Sequence, residues 1–226
     1  MTSSIVTKST FLDEKVQAVL DRLHALADLN DAIAIQQVLK SGLDWYSASS
    51  EDKAAMLSEA LLPISTDVGK FIYGIARSIS AKRIVEFGTS YGISTIYLAA
   101  ALRDIGGGLV IGSELESNKV ARATQNIAEA GLSQFVEIRA GDALQTLRHP
   151  GGVVDLLFLD GWKNLCLEVL HLVSGNLRSG SVILADDLSL FPEELASYLE
   201  YVRNPVNGFV SVTLPLGDGL EYSVKL

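Results

Sequence analysis

The sequence is poor in cysteine, in basic residues and in long apolar runs, and each shortage excludes a class of protein. A single cysteine, Cys166, cannot form an internal disulfide. The chain has 18 Lys and Arg against 27 Asp and Glu, a formal net charge of -9, whereas a nucleic-acid surface needs clustered basic residues. No apolar run approaches the roughly 20 residues that span a bilayer. We therefore expect a cytoplasmic protein with neither a nucleic acid nor a membrane as partner.

The pattern of apolar segments predicts an α/β protein. At 226 residues and 48% hydrophobic content, the chain is long enough for one large domain and a modest extension. Short apolar runs alternate with helical patterns, which predicts a parallel, doubly wound sheet, and the last two runs are close enough for an antiparallel hairpin. The predicted strands lie at 83–87, 109–113, 135–139, 153–159, 181–185, 208–214 and 220–224.

Residues 10 to 61 show helical spacing and no catalytic constellation. Thr10 and Asp13 resemble a capping box for a first helix, Asn30 or Asp31 is a candidate cap for a second that closes at Gly42, and Ser49 opens a third. We predict that residues 1–60 form a helical extension that covers an acceptor pocket or makes a dimer contact. Residues 61–226 then form the main domain.

The stretch from Glu86 to Gly92 allows two interpretations. Gly88 to Gly92 formally matches the Gly-x-Ser-x-Gly elbow of serine hydrolases, which would make Ser90 a nucleophile. That mechanism also needs a histidine late in the chain, and the last one, His171, lies within a predicted helix before the fifth strand. The alternative is a strand, a glycine turn and a helix start at a ligand-binding edge of the sheet.

Five successive predicted strands end in a glycine or an acid. Glu114 ends the second strand, where it is placed to accept hydrogen bonds from ribose hydroxyls. Because the carboxyl ends of parallel strands share one edge, these tips are expected to form a single site. The tips are Glu86 with Gly88, Glu114, Gly141 with Asp142, Asp160, and Asp186 with Asp187.

Over residues 60–226 the sequence resembles the S-adenosylmethionine (SAM)-dependent, cation-dependent O-methyltransferases of the catechol and caffeoyl-coenzyme A type. The resemblance implies a Rossmann-like, seven-stranded sheet, a homodimer and methyl transfer to a hydroxyl of a small phenolic or vicinal-diol acceptor. It places the methionine part of SAM on the glycine turn, ribose on Glu114, and adenine beside Gly141, Asp142 and Trp162. The implied cofactor-binding set is Ile64, Glu86, Gly88, Thr89, Ser90, Tyr91, Ser94, Glu114, Leu115, Gly141, Asp142, Ala143, Asp160 and Trp162.

The same resemblance implies a metal site and a base. Asp160, Asp186 and Asp187 match the ligands of Mg²⁺ or a similar ion, and three carboxylates from two neighbouring strand tips suit a hard cation. Lys163 matches the lysine that takes the proton from the acceptor hydroxyl, and a nearby cation is expected to lower its pKa. Two departures stand out: Asp187 replaces the usual Asn, and Gly161 replaces the His of the catechol enzymes. A non-catalytic SAM-binding protein is the remaining alternative.

Overall fold

The computed structural model describes residues 9–42, 44, 45 and 47–226, and within them the predicted fold is confirmed. Seven strands form one sheet in the order β3-β2-β1-β4-β5-β7-β6. The first five are parallel to one another, and β7 pairs antiparallel with both β5 and β6. The strands are β1 Arg83–Phe87, β2 Leu109–Glu114, β3 Val136–Ala140, β4 Val154–Leu159, β5 Leu177–Ala185, β6 Phe209–Leu214 and β7 Leu220–Lys225.

Helices cover both faces of this sheet. Along the central strand β4 every residue is buried, and alternate side chains enter two different cores: Leu156 and Phe158 face one, Leu157 and Leu159 the other. Burial on both faces explains the nearly continuous apolar run of this strand. The helices are α1 Glu14–Ser41, α2 Ser50–Met56, α3 Thr66–Ser78, α4 Ile93–Ile105, α5 Ser117–Glu129, α6 Ala143–Thr146, α7 Cys166–Val173 and α8 Pro192–Arg203.

The prediction of two separate helices before Gly42 was wrong. Helix α1 runs unbroken for 28 residues and ends at Gly42, which adopts the left-handed conformation with φ 75°. Asp31 lies in its middle and caps nothing in its own helix. Its carboxylate instead accepts hydrogen bonds from the backbone N–H groups of Leu61 (2.7 Å) and Leu62 (2.8 Å). Asp31, a residue type that often caps helices, therefore binds backbone N–H groups of another segment. Only the tertiary fold shows which segment that is.

The first turn of α1 also differs from the predicted capping box. Asp13 alone caps the helix, through the N–H of Lys15. Thr10 contacts Asp104 at the end of α4 instead, with both its N–H and its hydroxyl donating to that carboxylate. Residues 1–8 of the predicted extension lie outside the described residues. No helix in the described part of the chain is both long and apolar enough to cross a bilayer.

Candidate functional site

A cavity of about 870 Å³ opens at the carboxyl edge of the parallel strands. It brings Glu114, at the tip of β2, and Asp160, just after β4, into one site, as the strand-tip argument requires. Of the predicted residues only Glu86 is absent from its wall. The lining residues that the sequence predicts are Ile64, Gly88, Thr89, Ser90, Tyr91, Ser94, Glu114, Leu115, Gly141, Asp142, Ala143, Asp160, Trp162, Lys163, Asp186 and Asp187.

The first glycine of the central turn is required by the protein's own backbone. Gly88 has φ 93°, and a Cβ there would lie 2.6 Å from the backbone nitrogen of Gly161. The loops after β1 and β4 thus touch at this point, and any side chain would push them apart. Gly161 in turn leaves room for the ring of Phe87, since its own Cβ would lie 2.6 Å from that ring. A histidine in place of Gly161, as in the catechol enzymes, would therefore clash with the Phe87 ring.

Ser90 supports the turn and has no catalytic partner. Its N–H donates to Glu114 Oε2 at 2.7 Å, and its hydroxyl donates to the carbonyl of Leu61 at 2.8 Å. Glu114 Oε1 accepts a second bond from the N–H of Glu116 at 2.9 Å. None of the three histidines of the sequence lines the cavity. A serine nucleophile needs a base within hydrogen-bond reach, so the structure excludes the hydrolase interpretation.

Glu86 lies behind the cavity wall, fully buried. Its Oε2 accepts hydrogen bonds from Thr95 (2.5 Å) and Thr89 (3.1 Å), while its Oε1 has no hydrogen-bond partner. Burial raises the pKa of this carboxyl to about 7, against the threonine bonds and the nearby Ser94 hydroxyl, which favour the ionised form. Glu86 is thus positioned to hold Thr89 and the turn rather than to touch a ligand directly.

Lys163 joins two of the predicted metal ligands. Its Nζ lies 2.7 Å from Asp160 Oδ1 and 2.9 Å from Asp187 Oδ2, and its side chain is almost completely buried. Asp187 adopts φ 65°, a conformation uncommon for a residue other than glycine. Asp186 is also buried, and its Oδ1 has no hydrogen-bond partner. Lys163 therefore pairs with two of the three carboxylates, Asp160 and Asp187.

This charge balance shifts the proton affinities in the cluster. Burial on its own lowers the pKa of Lys163, but Asp160 and Asp187 outweigh it, so the pKa is raised and the side chain is an ammonium ion. Burial raises the pKa values of Asp160 and Asp186, and repulsion between the carboxylates adds to it. Without another cation, Lys163 therefore shows the opposite of the lowered pKa expected from the sequence.

No formed metal centre is present in the described part of the chain. Nowhere among those residues do three or more His, Cys, Asp or Glu side chains stand together as a metal-binding group. The ammonium of Lys163 occupies the space between Asp160 and Asp187. The unpartnered, buried oxygen of Asp186 nevertheless fits a cation, because such an oxygen is costly to leave unsatisfied.

Trp162 connects the sheet edge to the N-terminal helices. Its ring meets Trp45 edge-on at 5.9 Å between centroids, and both rings pack against the apolar cluster of Ala34, Leu57 and Ala60. The buried ammonium of Lys53 lies 4.9 Å from the Trp45 ring centroid and 6.0 Å from that of Trp162. Both tryptophans of the sequence therefore border the cavity.

More than half of the residues that line the cavity were not predicted as site residues from the sequence. One group comes from α1, α2 and the segments around them, and another from the loop before α8 and the β6–β7 hairpin. Lys119 on α5 is a further member, buried beside the ring of Tyr91. Their sequence pattern gives little indication of a site, because apolar residues at helical spacing usually face a core. They include Asp31, Ile35, Val38, Leu39, Trp45, Glu51, Ala54, Leu57, Leu61, Leu62, Lys119, Leu190, Phe191, Glu194 and Asp218.

Comparison with known sequences agrees with this site. A family model described as a methyltransferase domain matches residues 85–188, which contain β1 to β5. The chain is 35% identical over 139 residues to the catechol O-methyltransferase of Niastella koreensis, covering 58% of this chain and 62% of that protein. It is 30% identical to catechol O-methyltransferase B of Danio rerio, covering 76% of this chain and 66% of that protein. The matches thus span less than two thirds of the length of these relatives.

Solved structures show the same architecture. The O-methyltransferase of Bacillus cereus in complex with SAH superposes with a TM-score of 0.67 at 25% identity, covering 85% of this chain and 97% of that one. The O-methyltransferase TomG of Streptomyces achromogenes, in complex with SAM, gives a TM-score of 0.64 at 27% identity over 84% of this chain and 95% of that one. With its strand-tip site, the chain is therefore similar in sequence and in fold to the SAM-dependent O-methyltransferases.

Proposed function

We propose that this protein transfers a methyl group from SAM to a hydroxyl group of a small phenolic or vicinal-diol acceptor. The observation that carries the proposal is the joint placement of Glu114 and Lys163 in one cavity, at the edge where the loops after β1, β2 and β4 meet. Relatives with the same fold bind SAM or its product, S-adenosylhomocysteine (SAH).

The loops after β1, β2 and β3 would hold the cofactor. Each Glu114 oxygen accepts one backbone hydrogen bond, and since a carboxylate oxygen has two lone-pair sites, each can still accept a ribose hydroxyl. The two backbone bonds also fix the orientation of the carboxylate before the cofactor arrives. The glycine turn and the loop of Gly141, Asp142 and Ala143 flank Glu114 on the cavity wall. When bound, SAM supplies a methyl group on a positively charged sulfur.

Lys163 is the proposed general base. Its Nζ would accept the proton of the acceptor hydroxyl, and the oxygen would then take the methyl group that bound SAM supplies, with SAH as the leaving group. Lys163 can do this only as a neutral amine, and the paired carboxylates oppose that form. Rate enhancement would otherwise come from holding the acceptor oxygen in line with the methyl group, which is a matter of positioning.

Asp160, Asp186 and Asp187 would hold a divalent cation. A hard cation prefers oxygen ligands, and bound there it would lower the pKa of a coordinated phenol. The unpartnered oxygen of Asp186 fits this role. Asp187 has to exchange its contact with Lys163 for the cation, and this would free the lysine from one of its two carboxylates.

Two measurements test the proposal. Calorimetry should show SAH binding to the wild type and about tenfold weaker binding to Glu114→Gln, because an amide loses the charge that strengthens its hydrogen bonds. Glu168→Gln, an exposed change on α7, is the matched control and should bind SAH like the wild type. Failure of the wild type to bind SAM or SAH would overturn the proposal.

An activity screen separates the enzyme from a SAM-binding protein without turnover. Catechol, caffeoyl and flavonoid acceptors are incubated with labelled SAM and Mg²⁺, and methylated product is measured. A product whose formation stops on chelation and returns with Mg²⁺ or Mn²⁺ supports the cation site; turnover that survives exhaustive chelation removes the cation from the proposal. SAH binding without methylation of any phenolic or vicinal-diol acceptor would leave the non-catalytic alternative.

A further inference from the structure

We infer that Asp31, in the middle of α1, is a positioning residue for the cofactor. This inference rests on the proposed function, because it assumes that Glu114 holds the ribose of SAM. The argument follows a continuous series of hydrogen bonds from α1 to Glu114. None of its links is visible in the sequence, since Asp31 and Glu114 are 83 positions apart.

The first link runs from α1 to the segment before α3. Both oxygens of the Asp31 carboxylate are used, Oδ1 by the N–H of Leu61 and Oδ2 by the N–H of Leu62. Leu62 has φ 48°, a backbone conformation that a branched side chain rarely adopts. Two charge-assisted hydrogen bonds to adjacent N–H groups hold the segment in this unfavourable conformation.

The second link runs from this segment to the glycine turn. The carbonyl of Leu61, which belongs to the same residue that donates to Asp31, accepts the hydroxyl of Ser90. Ser90 also has a positive φ, of 46°. The backbone N–H of Ser90 then donates to Glu114 Oε2 at 2.7 Å. Asp31, Leu61, Ser90 and Glu114 thus form one series in which each hydrogen bond orients the group that makes the next.

One buried lysine, Lys119, interacts electrostatically with both ends of this series, Asp31 and Glu114. Lys119 is buried on the cavity wall, and burial lowers the pKa of its ammonium group, whereas Glu114 and Asp31 are the two strongest opposing influences. The carboxylates of Asp31 on α1 and of Glu114 on β2 therefore both favour the charged form of Lys119. Helix α1 accordingly does more than cover the cavity: it sets the position of the turn that orients Glu114.

Binding measurements on variants of Asp31 test this role. Asp31→Ala removes both hydrogen bonds, and we expect the SAH dissociation constant and the KM for SAM to rise about tenfold, with a smaller change in kcat. Asp31→Asn keeps one acceptor oxygen and should fall between the wild type and Asp31→Ala. Asp28→Asn, an exposed change one turn earlier on the same helix, is the control and should bind SAH within twofold of the wild type.

A double-mutant cycle separates a positioning role from a merely structural one. If Asp31 acts through Leu61 and Ser90, the pair Asp31→Ala and Ser90→Ala should weaken SAH binding by little more than the larger single change. Strictly additive effects would overturn the inference. So would Asp31→Ala protein that binds SAH with unchanged affinity and only a lower melting temperature or a lower binding stoichiometry. Absence of SAH binding by the wild type would instead overturn the proposed function.

Discussion

The two halves of the cavity are built in different ways. The sheet half consists of loops after parallel strands, where glycines and carboxylates are fixed by backbone contacts such as those of Gly88 and Glu114. The other half consists of side chains from α1, α2 and the region of Leu190 and Phe191, and most of these are apolar. The sheet half therefore selects one polar ligand through fixed hydrogen-bonding groups, whereas the helical half binds its ligand through shape and hydrophobic contact.

This contrast assigns different chemistry to each half. Fixed hydrogen-bond partners discriminate strongly between ligands, because a mismatched ligand leaves buried polar groups unpaired. Apolar walls discriminate weakly, since each methylene contributes about 0.8 kcal/mol. We therefore expect substitutions in the sheet half to alter the cofactor step or catalysis, and substitutions in the helical half to alter acceptor choice.

The largest effect on catalysis is expected in the sheet half, at Lys163 in the loop after β4. Lys163→Ala removes the proposed base, and kcat should fall by about 10²–10⁴ while SAH affinity changes little. Lys163→Arg keeps a cation between Asp160 and Asp187 but does not release a proton at neutral pH, so it should be as inactive and better folded. Initial rates at saturating substrate measure the effect, with exposed Lys70→Ala as the control. Rates within tenfold of the wild type would show that Lys163 is not the base.

A smaller effect, on the free energy of unfolding, is expected at Glu86, which is buried behind the sheet half. Its folded pKa, about 7, lies above the ordinary value of 4.5, so the folded state binds the proton more tightly than the unfolded state. Stability should therefore fall as pH rises from about 4.5 to about 7, by about 1.4 kcal/mol per pH unit at most and about 3 kcal/mol in all. Above pH 7 no further loss is expected from this group.

Glu86→Gln tests this pH dependence. The amide cannot ionise, so the variant should lose this slope and gain stability relative to the wild type as pH rises. Urea unfolding of both proteins without cofactor, from pH 5 to pH 8, measures the difference; subtraction removes the contributions of the other titrating groups, apart from the repulsion between Glu86 and Asp160. A difference that is constant with pH would show that Glu86 does not titrate in this range. Exposed Glu168→Gln should show no such trend.

The smallest effect is expected in the helical half. Leu190 is 56% exposed on the cavity wall, so Leu190→Ala should leave folding intact. The lost apolar contact should raise the acceptor KM roughly threefold to tenfold without changing SAH affinity. Val206→Ala, which removes exposed apolar surface outside the cavity wall, is the control. A change in SAH affinity instead would mean that the two halves are not separate.

The sheet half was largely predictable from the sequence. A β-branched apolar run followed by a glycine or an acid is a local pattern, and parallel strands necessarily place such tips at one edge. Glu114, Asp160 and Asp186 were found in this way. Glu86 was the exception, because alternation along β1 turns its side chain into the protein rather than toward the cavity.

The helical half could not be predicted, because its residues carry no local signature. Ile35, Val38 and Leu39 have the same spacing whether they face a core or a cavity. Asp31 was expected to begin a helix because aspartate is a common cap, yet α1 continues through it. The site of its hydrogen bonds, 30 positions further along the chain, depends on how α1 packs.

By itself, the sequence determined the alternation of strands and helices after residue 60, the polar strand tips and the resemblance to the O-methyltransferases, since all of these follow from short-range patterns. Only the tertiary structure decided that Lys163 lies between two carboxylates, that Asp31 holds the segment before α3, and which apolar side chains enclose the cavity. The physical reason is that these contacts join residues from separate elements, and their geometry is set by packing across the whole fold rather than by any single segment.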